Sequence, residues 1–169
     1  MIKNINSLFV TMFGIGKLPK IPGSYASLAT VIFLYILFHI FLIPPDLFLY
    51  FLLVIFITSL FAVNIFIKDL TNKDPKEVVI DEFIGQSIPI CLYEIAHNET
   101  TNPARVLIFY FIMFILFRIF DIVKPYPVSY YDKNFKNSFG VIMDDVCAGL
   151  YVVVVLVFYM IIKTWVNCL

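Results

Sequence analysis

Leu47 to Ile67 is a run of 21 residues without one acidic, basic or histidine side chain. Such a run spans the hydrocarbon core of a bilayer as a helix, because lipid gives backbone N–H and C=O groups no partner and a helix satisfies them internally. Tyr25 to Ile43 is a second run, 19 residues long and interrupted only by His39. Pro44-Pro45-Asp46 ends the first helix and turns the chain tightly, so the two form a helical hairpin. Val106 to Val123 and Val146 to Val166 are long enough to span as well. Phe83 to Ala96 is apolar but short and holds Pro89; it reaches only about 21 Å as a helix. It therefore crosses kinked, borrows flanking residues, or dips into the membrane. The expectation is an all-α polytopic membrane bundle of about five apolar helices.

Composition agrees: 62% of the 169 residues are hydrophobic and 14% charged, far from the balance of a soluble domain. No linker or low-complexity tract divides the chain, so residues 1–169 read as a single domain. The zero formal net charge argues neither for nor against a nucleic-acid partner, but no basic stripe is present and no such partner is expected. Cys91, Cys147 and Cys168 are far apart in apolar surroundings and read as packing residues. The first span is expected to remain as an anchor instead of being cleaved as a signal peptide. Oligomeric state is left open by the sequence.

Five crossings impose a parity. The N-terminal stretch, the Lys68 to Glu82 loop and the Lys124 to Asp145 loop then share one side of the bilayer. Ten of the twelve Lys and Arg residues lie there, leaving Arg105 and Lys163 on the other, so the positive-inside bias makes the first side cytoplasmic. Nine of the twelve acids share that side, which sidedness alone does not require. Asp81-Glu82 opens the third segment, Asp144-Asp145 opens the fifth, and Asp121 closes the fourth. The plainest alternative is that acids at helix starts complement the macrodipole.

The chemistry follows from the charges. Arg118, Asp121 and Lys124 stand at three-residue spacing on one helical face, where the simplest role is snorkelling to the interface around a counter-ion. With Asp81, Glu82, Asp144 and Asp145 added, five carboxylates face two cations, an excess of three negative charges. A hard divalent cation relieves that repulsion, and oxygen-only ligands select Mg²⁺, Mn²⁺ or Ca²⁺. One member of each acidic pair ligates while the other hydrogen-bonds or activates water; which does which is open. Arg118 and Lys124 suit a phosphate, and a phosphoryl-transfer site at the membrane surface implies a lipid substrate. The block Gly14 to Ser27 adds Lys17, Gly23, Ser24 and Ser27 as candidate substrate contacts, with backbone donors that could cradle phosphate oxygens.

Three blocks together resemble phosphatidylglycerophosphatase A, a bacterial family that removes the terminal phosphate of phosphatidylglycerophosphate, over about Phe13 to Tyr151. They are Gly14 to Leu28, Val79 to Gly85, and Phe117 to Pro127 followed by Gly140 to Gly149. The chain departs from the family's usual pattern at Ala26 and Ser138, where glycine is common; neither change removes a charge. The resemblance implies a Mg²⁺-dependent enzyme of the bacterial inner membrane with its active site facing the cytoplasm. By position it implies metal ligands among Asp81, Glu82, Asp121, Asp144 and Asp145, and an Arg-x-x-Asp-x-x-Lys-Pro motif at Arg118, Asp121, Lys124 and Pro125.

The expected reaction is hydrolysis, with water activated by the metal or by a carboxylate such as Asp81 or Asp121 while Arg118 and Lys124 hold the phosphoryl oxygens. No DxD pattern marks an aspartyl-phosphate nucleophile. Two other functions compete. A CDP-alcohol-type phosphatidyltransferase needs a denser acidic array than this chain holds. A non-enzymatic transport or assembly subunit would use polar mid-membrane residues, for which only His39, Asn64 and Glu94 are available.

Overall fold

The computed structural model describes residues 2–68, 75–97, 102–135 and 137–167. Cys168, Lys73, Lys136, Asp69 and Asp74 lie outside the described residues, as does the side chain of Lys3. The described chain is all helical: α1 (Ile2–Val10), a short 3-10 turn (Ile15–Lys17), α2 (Pro22–His39), α3 (Pro45–Ile67), α4 (Ile80–Ala96), α5 (Pro103–Val123), α6 (Val128–Asn134) and α7 (Ser138–Asn167).

Four of these, α2, α3, α5 and α7, are long and apolar enough to cross a membrane. Proline starts three of the four at the first turn, where its missing N–H costs nothing: Pro22, Pro45 and Pro103. The hairpin turn falls at Ile40 to Pro44, with Leu42 in the left-handed region at φ 53°. Outward faces carry large apolar side chains, among them Phe61 and Trp165, about two-thirds exposed as lipid-facing residues are.

The short third segment borrows flanking residues. α4 begins at Ile80, three residues before the expected start, and packs against α2, α3, α5 and α7. Twelve of its 17 residues are buried, so it is the axis of the bundle and not one of its walls. Pro89 removes the N–H that would bond the Gly85 carbonyl. That carbonyl instead lies against Gly149 of α7, where a Cβ would stand 2.3 Å from its oxygen. The approach is reciprocal, since a Cβ on Gly85 would stand 2.5 Å from the Asp145 carbonyl oxygen, so only glycine fits either side of this contact.

α7 differs from expectation. It begins at Ser138, with the Asn137 side chain accepting from the Gly140 N–H at 3.0 Å, so Asp144 and Asp145 lie two turns inside the helix. The apolar Phe139, Val141, Ile142 and Met143 carry the helix across what reads locally as a loop. The macrodipole explanation fails for this pair, because that field fades within the first turn.

At the other end of the bundle, Glu94 is partnered by Tyr110 Oη at 2.9 Å and His39 Nε2 at 3.3 Å. Those two polar residues thus satisfy each other, and Asn64 is exposed. Cys91 and Cys147 are free and buried, as packing residues should be.

Candidate active site at the carboxylate end

Four helices deliver their polar groups to one end of the bundle. α4 brings Asp81 and Glu82 in its first turn, α5 brings Arg118 and Asp121 in its last turns, α7 brings Asp144 and Asp145, and α2 brings Gly23, Ser24 and Ser27. They surround a cavity of about 440 Å³ that the linker residues Lys20, Lys76 and Lys124 help to line. The four acids from α4 and α7 are each no more than 8% exposed. Buried carboxylates persist only where cations and hydrogen bonds compensate them.

Arg118 is the first compensating group. Its Nη1 lies 2.5 Å from Glu82 Oε2 and its Nη2 3.2 Å from Asp121 Oδ2. Ser27 Oγ donates to the same Glu82 oxygen at 2.7 Å. Gly23 is where α2 meets this arrangement: a Cβ there would stand 2.0 Å from Glu82 Oε1. Arg118 Nε is buried without a partner.

Lys124 is the second. Its Nζ donates to Asp132 at 2.7 Å and to Asp144 at 2.8 Å, joining α6 to α7. Burial works against the ammonium, but these two carboxylates outweigh it and hold its pKa above the ordinary lysine range. The residue sits at the C-terminus of α5 in the left-handed conformation, φ 46°, a region that favours glycine. Lys20 is left-handed too, φ 76°. Two cavity-lining lysines thus occupy backbone conformations costing of order 1 kcal/mol each, a pattern associated with function.

The two acidic pairs share a geometry. Asp81 Oδ1 accepts from the Glu82 N–H at 2.9 Å, and Asp144 Oδ1 accepts from the Asp145 N–H at 3.0 Å. The second member of each pair turns inward. One carboxylate oxygen each from Glu82, Asp121 and Asp145 lies within 4.8 Å of the others, a group able to hold a metal ion. Its all-oxygen donor set fits a hard divalent cation of the Mg²⁺ class.

Asp81, Glu82, Arg118, Asp121, Lys124, Asp144 and Asp145 therefore meet at one cavity, joined by Gly23 and Ser24. Ser27 is buried behind it, bonded to Glu82. Lys17 is exposed and does not line the cavity, because Gly16 packs so tightly on the Glu77 backbone that the turn directs the next residue outward. Lys20, Lys76 and Asp132 were not anticipated. Asp132 had a signal in its eight-residue spacing from Lys124, and Gly85 and Gly149 had one in being lone glycines within a turn of Glu82 and Asp145.

Residues 8–160 match the phosphatidylglycerophosphatase A family. The chain is 32% identical over 148 residues to phosphatidylglycerophosphatase A of Haemophilus influenzae, covering 88% of this chain and 84% of that protein. It is 29% identical over 143 residues to phosphatidylglycerophosphatase A of Escherichia coli, covering 85% and 76%. A Bacteroides thetaiotaomicron protein named as a candidate phosphatidylinositol-3-phosphatase is 38% identical over 149 residues, covering 85% and 86%. No solved structure matches the chain.

Proposed function

This chain belongs to the phosphatidylglycerophosphatase A family, and from that premise we propose that it is a Mg²⁺-dependent phosphatase acting on phosphatidylglycerophosphate. The products are phosphatidylglycerol and inorganic phosphate. The observation that carries this reading is the convergence of Glu82, Asp121 and Asp145 from three helices beside Arg118. Its place at the end of a membrane bundle suits a substrate whose acyl chains stay in lipid while its phosphate enters the cavity. The positive-inside bias supports a cytoplasmic site in the bacterial inner membrane.

Glu82, Asp121 and Asp145 would hold the divalent cation, which when bound supplies electrophilic stabilisation of charge on the phosphoryl oxygens. The remaining steps fall to the chain. Arg118, braced by Glu82 and Asp121, and Lys124, braced by Asp132 and Asp144, orient the monoester without needing to reorganise. No side chain caps α2, so the N–H groups of its first turn at Gly23 and Ser24 are left for phosphate oxygens. Asp81 lines the cavity outside the metal-binding trio and takes the proton of the attacking water at its carboxylate. Water adds to phosphorus as the ester P–O bond breaks, and the departing glycerol oxygen takes up a proton from the water that fills the open cavity. Lys20 and Lys76 have no ion pair with a described residue and suit the substrate's second phosphate, the diester.

The test is phosphate release from phosphatidylglycerophosphate by the purified protein, before and after chelation. Release should vanish with chelator and return with Mg²⁺. Undiminished release in chelator would remove the cation from the mechanism. Turnover of phosphatidylinositol 3-phosphate in its place would move the substrate toward the activity in the name of the Bacteroides relative.

A further inference from the structure

At the opposite end of the bundle, α4, α5 and α7 enclose a second cavity of about 360 Å³. Leu92, Phe109 and Leu156 form part of its apolar wall. Arg105, from the first turn of α5, and Lys163, from the last turns of α7, line it as well. These are the two Lys or Arg residues, of twelve in the chain, that the topology leaves on this face, and both converge on one cavity. Cations serving only as interfacial anchors have no reason to share a groove.

Helix electrostatics do not explain the placement of Arg105, which stands where the α5 macrodipole is already positive. Among the described residues no carboxylate lines the cavity, and neither cation has an ion pair with a described residue. His97 also lines it, with its Nδ1 3.0 Å from the Tyr93 carbonyl oxygen and its ring stacked on Tyr93, and it brings no negative charge. The occupant that matches these walls is apolar along most of its length and anionic at one end.

We propose that this cavity binds an anionic phospholipid of the leaflet opposite the carboxylate site. Its phosphate lies between Arg105 and Lys163, with an acyl chain along Leu92, Phe109 and Leu156. A water-soluble phosphate would leave the apolar wall unused, and a zwitterionic lipid would set its own ammonium against the two cations. Each cation at a membrane surface favours an anionic lipid by roughly fivefold, so the pair should give about a 25-fold preference. The proposal is independent of the phosphatase reading, since the two cavities share no residue.

Native mass spectrometry of the delipidated full chain, offered phosphatidylserine or phosphatidylcholine, tests it. Phosphatidylserine should be retained with about that 25-fold preference, and Arg105→Ala/Lys163→Ala should abolish the preference. Leu156→Trp should exclude the lipid by filling the wall. Because Arg105 and Lys163 are exposed, the double variant should keep its melting midpoint and its phosphate release. Equal retention of the two lipids by the unaltered chain would overturn the proposal. So would undiminished phosphatidylserine preference in the double variant, or glycerol 3-phosphate binding as tightly as the lipid.

Discussion

Glu82 and Arg118 show how neighbouring groups fix the position of a single side chain. The carboxylate is pinned by a guanidinium on one oxygen, with Ser27 on the same oxygen and the α2 backbone against the other, so it cannot rotate away without leaving a buried charge unpaired. Gly23→Ala should therefore leave the bundle assembled while displacing Glu82, lowering turnover by about 100-fold. Thermal melting beside a phosphate-release assay separates the two effects. Asp121→Asn and Asp145→Asn should each cost at least about 100-fold in turnover with little change in melting, since each removes one oxyanion from the trio. Full activity in both would detach the trio from the reaction. At this scale most of the site is legible in the sequence, because charged residues among apolar segments are costly wherever they stand and so mark themselves. Asp132 escaped because it lies in a segment that reads as an ordinary aqueous loop, and Lys20 because spacing within the Gly14 to Ser27 block does not say which of its lysines turns toward the cavity.

The elements explain why these side chains meet. α4 and α7 approach through Gly85 and Gly149, and this contact sets Asp145 beside Glu82. In lipid the helices gain little from burying apolar surface against one another, so close backbone packing carries more of the association. A methyl group on Gly149 meets a backbone carbonyl that cannot swing aside. Gly149→Ala should destabilise the protein by about 1–3 kcal/mol and reduce turnover together with stability. Unfolding in a graded denaturing detergent, with activity followed in parallel, checks this. The starts of α4 and α7 were the parts of the secondary structure that sequence placed poorly. Hydropathy locates the apolar middle of a helix, whereas its ends depend on local caps such as Asn137 and on whether polar residues find partners in the fold.

For the whole molecule, α4 runs from the carboxylate end of the bundle to Glu94 among four helices long and apolar enough to span, and the five-crossing topology requires that it complete a traverse as well. In a cysteine-free background, Lys17→Cys should be labelled by an impermeant thiol reagent only from the cytoplasmic side of oriented vesicles, and Thr164→Cys only from the other. Labelling of both from one side would break the topology. The four long apolar helices and the identity of the acidic and basic groups were determined by the sequence itself, because apolar length and charge are local properties of the chain. Tertiary structure alone decided which acid of each pair turns toward the others, that Lys124 is shared between Asp132 and Asp144, and that Lys17 stands outside while Lys20 stands within. Those outcomes depend on how far each helix is rotated and how closely its backbone approaches the next, and such distances arise only when all the helices pack at once.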